Sequence, residues 1–225
     1  MKRFLLWVVF IAALFVSCQN QPDRYILGPP VIFDDPVITR PFVITDYQNR
    51  ASGETMPEWV TLWLNSSIQE VEALGAFNGR YVFISRNEGV HFNPLRLWRE
   101  GFSPELDFPR LAAARIERRF ASAANHPDVE YGTYYEALIR TASDAPWTGA
   151  VSEGDFWIRR RYAPNEEENE QELETWEFLI LLTMEKVLFE SQLDEVFRRV
   201  TPVPNPSRVQ MEAVNRVRED FFNGF

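Results

Sequence analysis

The chain has 225 residues, 45% of them hydrophobic, a formal net charge of −10 and one cysteine, Cys18. That apolar fraction builds a core without disulfides, and a lone cysteine excludes an intramolecular bridge. The acidic balance argues against nucleic acid as the main partner and against electrostatic docking on anionic lipid.

The first 17 residues read as a lipoprotein signal peptide. Lys2 and Arg3 precede an unbroken apolar run of 13 residues, Phe4 to Val16. A helix needs roughly 20 residues to cross about 30 Å of hydrocarbon, so the run is too short to span. It has the length and flanks of a signal-peptide h-region. The run ends at Phe15-Val16-Ser17-Cys18, which resembles a relaxed bacterial lipobox of the spirochaete kind, with Ser17 in the small position. That resemblance implies lipidation of Cys18, with a thioether diacylglycerol and an N-acyl chain as its only attached groups. It also implies a bacterial cell-envelope location, held to a membrane by the lipid. Acylation accounts for a solitary thiol in an exported chain.

Residues 18–48 read as a proline-rich tether. Pro22, Pro29, Pro30, Pro36 and Pro41 favour extended backbone, and the short pieces "VIF" (31–33) and "FVIT" (42–45) suit edge strands. The folded domain is expected over 49–200. "GRYVFISRNEG" reads as a strand. In "GFSPELDFPRLAAARIERRFASAA", Ser103 and Pro104 open a helix, with a restart expected at Pro109 and Asp107 as a second cap. Phe108, Ala112, Ile116 and Phe120 form its apolar stripe, and Arg115, Arg118 and Arg119 read as a solvated surface. A second helix carries Tyr135, Leu138, Ile139 and Ala142. "APWTGA" breaks the chain.

"GDFWIRRRY" (154–162) and "ETWEFLILLTM" (174–184) read as two strands around the acidic "APNEEENEQEL" loop. In the second, Trp176, Phe178, Ile180, Leu182 and Met184 share one face. Leu179 and Leu181 share the other, so part of this strand is expected to be covered on both sides. A third helix carries Phe189, Leu193, Val196 and Phe197. "TPVPNP" stops it, and 201–225 reads as an amphipathic C-terminal extension. The order implies an α+β fold, a small antiparallel sheet with helices packed on one side.

No catalytic pattern stands out. His91 and His126 are the only histidines and lie far apart in sequence, outside metal-ligand spacings. Glu136, Asp144, Glu153 and Asp155 lie around the second helix and the following strand, but the chain has 33 acidic residues and such proximity is expected by chance. No enzyme activity, metal or further cofactor is therefore expected. The aromatic residues carry more information. Trp157 and Trp176, which fall in strands, are expected in the core. The candidate interaction surface is Trp98, Trp147 and the run Arg159, Arg160, Arg161, which could meet the "EEENE" loop or an acidic partner.

The order "MPEWV", "RLAAARIERRF", "DFWIRRRY", "TWEFLILLTMEKVLFESQL" resembles small bacterial surface lipoproteins of the flagellar-associated FlgP and FlgT N-domain type, over about residues 56 to 199. The resemblance implies a helix packed on a small antiparallel sheet and a role in assembly at the envelope, and it carries over no catalytic residue. The expected function is a non-catalytic protein-interaction or assembly module, its partner an envelope protein or a second copy. The alternative is a lipid- or glycan-binding module that uses tryptophan-lined loops.

Overall fold

The computed structural model describes residues 41–123, 131–164 and 172–200, together with 215 and 219. The signal peptide, Cys18, the "VIF" piece, His126, the "EEENE" loop and the expected C-terminal helix lie outside the described residues, as do the side chains of Phe120 and Tyr135. Among the described residues no helix is long and apolar enough to cross a membrane.

Four strands form one antiparallel sheet: β1 (Phe42–Tyr47), β2 (Arg80–Gly89), β3 (Val151–Tyr162) and β4 (Leu173–Glu185), in the order β1-β3-β4-β2. The fold is α+β. "FVIT" is an edge strand, so the fold begins inside the stretch delimited as tether. β4 is central, which explains its double-sided apolar pattern. Along it, Ile180, Leu182 and Met184 turn to one face and Leu179 and Leu181 to the other.

Helices cover both faces, and this corrects the expectation of a single covered side. One face carries α4 (Pro104–Ala123), α5 (Tyr131–Ser143) and α6 (Lys186–Arg199). Phe108, Ala112, Ile116, Leu138, Phe189 and Leu193 pack there on Tyr81, Phe83 and Leu182. The opposite face carries α1 (Glu58–Asn65) and α2 (Ile68–Glu72), whose Val60, Trp63, Ile68 and Val71 pack on Val82, Ile84, Phe156 and Leu181. The physical reason is the strand pattern: β2 is apolar at odd and even positions alike, and an apolar sheet face left in water is unfavourable.

α3 (Phe92–Gly101) follows β2 directly and packs on β2 and β4. Pro109 does not restart α4, which is one continuous helix from Pro104. Proline there removes a single N–H in an early turn. The carboxylate of Asp107 instead accepts from the Ser103 amide at 2.9 Å, holding the helix entry. The "APWTGA" break is pinned to α6. The Thr148 amide and carbonyl both bond the Gln192 side chain, at 2.8 and 2.9 Å. Gly149 has φ +89°, a conformation that strains any other residue, and a Cβ there would stand 2.4 Å from Leu188 Cδ2, so the turn favours glycine.

Candidate functional site

Strand alternation divides the Arg159-Arg160-Arg161 run between the two faces of the sheet. Arg160 points to the α1–α2 face, as Phe156 and Ile158 do, and its side chain is 4% exposed. It pairs with Glu177 of β4, which is fully buried, and Arg86 of β2 approaches the other Glu177 oxygen at 2.9 Å. Arg86 Nε and Arg160 Nη2 thus each lie at ion-pair distance from one oxygen of the same carboxylate. Glu88 extends the network. It accepts from the Tyr162 hydroxyl at 2.7 Å and from the Thr175 hydroxyl at 2.5 Å, and pairs with Arg86 at 3.1 Å. The Arg160 guanidinium lies 4.3 Å from the centroid of the Phe42 ring, closing the network at β1. Burial pushes the Glu177 carboxyl up, against the pull of Arg160 and Arg86. Burial likewise raises the Tyr162 hydroxyl. Two arginines and two glutamates from three strands balance in charge, so the network is a neutral clamp across the sheet.

Arg159 and Arg161 point to the α4–α6 face. Arg159 pairs with Glu174. Arg161 reaches Glu174 at 2.7 Å and Glu172 at 3.2 Å. The hydrogen bond from Arg161 chiefly holds the Glu174 carboxyl below the usual carboxylate range. These arginines are thus matched by glutamates at the C-terminal end of the acidic hairpin segment and the start of β4.

Beside them lies an aromatic cluster. Phe92 of α3 sits edge-on to Trp176 at 4.8 Å and to Trp157 at 5.7 Å, and the two tryptophans are 5.0 Å apart. The Arg159 guanidinium lies 5.1 Å from the Trp176 ring. All three rings are half-buried. Trp157 and Trp176 are therefore not the enclosed core residues expected of mid-strand tryptophans. They lie on the part of the sheet that α4–α6 leave uncovered. α3 rims this surface, with Leu97 exposed and Arg99 paired to Asp155.

Trp147 takes the opposite course. It is 6% exposed, stacks on Phe189 at 5.1 Å, and its Nε1 donates to the Ala142 carbonyl at 2.8 Å. It is a core residue, and the expected interaction surface at this loop is corrected accordingly. Trp98 is half-buried against the same core, edge-on to Phe102 at 6.0 Å. Arg115, expected on a solvated helix face, is also nearly buried, its side chain 11% exposed.

The carboxylates are dispersed. Glu153 accepts from Arg80 and Thr183, both at 2.6 Å, while Asp155 pairs with Arg99. Glu136 and Asp144 are exposed at α5 and just beyond it. A surface cleft of about 290 Å³ beside β1 and β3 is lined by Phe42, Val43, Tyr162 and Pro164, with Arg161 and Glu172 paired to each other at its rim. Among the described residues no group of histidine, cysteine and carboxylate side chains is placed to hold a metal ion.

Comparison with protein-family models, with curated proteins and with solved structures finds no match.

Proposed function

We propose that the chain is a lipid-anchored protein of the bacterial envelope whose domain binds another protein through the half-exposed aromatic face around Trp157. The observation that carries the binding reading is the Phe92–Trp157–Trp176 cluster. Two half-buried tryptophans of β3 and β4 lie beside Phe92 of α3, outside the cover of α4–α6, and the neighbouring charges are already paired within the chain. Protein interfaces favour tryptophan at their centre and few uncompensated charges there. The anchor rests on the N-terminal pattern ending at Cys18, with the acyl chains supplying the membrane affinity that an acidic domain lacks.

A photo-reactive residue in place of Trp157 tests the binding reading in intact envelopes. Amine crosslinkers are poorly suited, because Lys186 is the only lysine beyond the signal peptide. The expected result is a discrete adduct with a partner protein, lost when Trp176→Ala is added. An adduct pattern no different from that of a probe at the exposed Glu136 contradicts the reading. Labelled palmitate tests the anchor separately. Wild type takes up label and Cys18→Ala does not; full labelling of Cys18→Ala contradicts lipidation at that residue.

A further inference from the structure

The cleft beside β1 and β3 lies apart from the clamp and from the tryptophans. Pro41, Phe42, Val43, Tyr162, Ala163 and Pro164 line about 290 Å³. The Phe42 and Tyr162 rings are 5.8 Å apart, tilted by 59°. Val43 is 60% exposed, and Pro41, Ala163 and Pro164 are exposed as well. Arg161 and Glu172 at the rim satisfy each other. The cleft therefore offers proline and aromatic surface to an occupant, and no spare charge. Extended, proline-containing segments dock in aromatic-lined grooves because their backbone has little entropy left to lose.

Two stretches outside the described residues border this cleft in sequence. Residues 165–171 follow Pro164, and residues 1–40 run into Pro41. The first, "NEEENEQ", brings only carboxylates and amides, which an apolar cleft desolvates at a cost. The second suits the cleft. In residues 19–40, "YIL" (25–27), "VIF" (31–33) and "VI" (37–38) place eight large apolar side chains among 22 residues. A purely solvated linker has few such residues. "PPVIF" (29–33) sets two prolines, which favour extended backbone, directly before three of them. "DDP" (34–36) follows as a turn signal that lets the chain reverse. Only residues 34–40 separate Phe33 from the cleft wall at Pro41, and so short a connection keeps the segment at an effective concentration on the order of millimolar.

We propose that "PPVIF", residues 29–33, folds back as a strap into the cleft lined by Phe42, Val43, Tyr162 and Pro164 of its own chain. The strap gives the "VIF" piece a place in the fold and covers the exposed side chain of Val43. It also sets how far the domain stands from a membrane, a consequence that rests on the lipid-anchor reading while the strap itself does not. Residues 19–40 fully extended reach about 70 Å, whereas residues 19–28, left free by a docked strap, reach about 30 Å.

The test uses the full chain in mild detergent, with chymotrypsin cleavage read by mass spectrometry. Val43→Asp puts a charge into the cleft at an exposed position outside both cores. Cleavage after Phe33 is expected to be about tenfold slower in wild type than in Val43→Asp, because cleavage follows the population released from the cleft. Cleavage after Tyr25, upstream of the strap, is expected at the same rate in both. Equal rates after Phe33 overturn the proposal. So does protection lost on dilution, which marks a segment exchanged between two copies. A photo-reactive residue in place of Val43 gives a second reading that does not depend on the folding of Val43→Asp. An adduct within one chain to residues 29–33, lost in Ile32→Asp, supports the strap. An adduct to residues 165–171, an adduct to a second copy or no adduct overturns it. Neither reading involves the Trp157 face or palmitate labelling, so failure here is distinct from failure of the proposed function.

Discussion

Arg160 and Arg161 are neighbours on one strand, carry the same side chain and both pair with glutamates of β4, yet they stand in opposite environments. Arg160 is enclosed on the α1–α2 face with Glu177, and Arg161 lies in water on the other face with Glu172 and Glu174. A surface pair exchanges water for a partner at almost equal free energy. A buried pair has lost its water, so each member depends on the other to offset the desolvation. Sequence adjacency therefore says little about what an arginine contributes, and strand parity says much.

The largest effect expected from this contrast comes at Glu177. Glu177→Ala leaves Arg86 and Arg160 buried without their shared carboxylate and is expected to cost about 3–5 kcal/mol, measured by urea unfolding. Replacing the whole clamp sharpens the point. Arg86→Met, Glu177→Leu, Arg160→Met and Glu88→Gln together remove all four of its charges, and the quadruple variant is expected to match wild type or exceed it by about 1–4 kcal/mol. A quadruple variant as unstable as Glu177→Ala would show that the charges themselves, and not their mutual dependence, hold the sheet.

A smaller effect separates two glutamates of β4 by the sign of their pH dependence. Glu174 is held below the usual carboxylate range by Arg161. Its stabilisation is complete above the unfolded value and is lost as pH falls through the lowered one. Glu177 is pushed up by burial, so its contribution is complete below the unfolded value and is lost as pH rises through the raised one. Glu174→Gln is therefore expected to flatten the fall in stability toward acid. Glu177→Gln is expected to remove a loss on the other side of the ordinary carboxylate range. Unfolding midpoints across that range for both variants read the two slopes, and slopes of the same sign contradict the assignment.

Much of the fold was legible because period and position agree. Alternation marked β2, β3 and β4, and the spacing of Phe189, Leu193, Val196 and Phe197 marked α6, where all four are buried. Helices α1 to α3 are short and carry few period markers, although Val60, Trp63 and Leu64 sit at helical spacing. The double-sided strand β4 implies a second layer without saying which segment supplies it. The separation of Arg160 from Arg159 and Arg161 follows from period two alone and was legible. Its pairing with Glu177 and Arg86 was not, since that needs the register of β4 against both neighbours. Trp147 was undecidable from its loop composition, because its burial depends on α6 closing over the turn at Gly149.

The central claim is that one strand sorts its arginines into a buried clamp and a solvated surface. The most direct measurement compares Arg160→Ala and Arg161→Ala by equilibrium urea unfolding under one set of conditions. The account predicts a midpoint lowered by about 1 M or more for Arg160→Ala, with the slope unchanged, and a midpoint indistinguishable from wild type for Arg161→Ala. Equal shifts for the two variants, or a larger shift for Arg161→Ala, would contradict it.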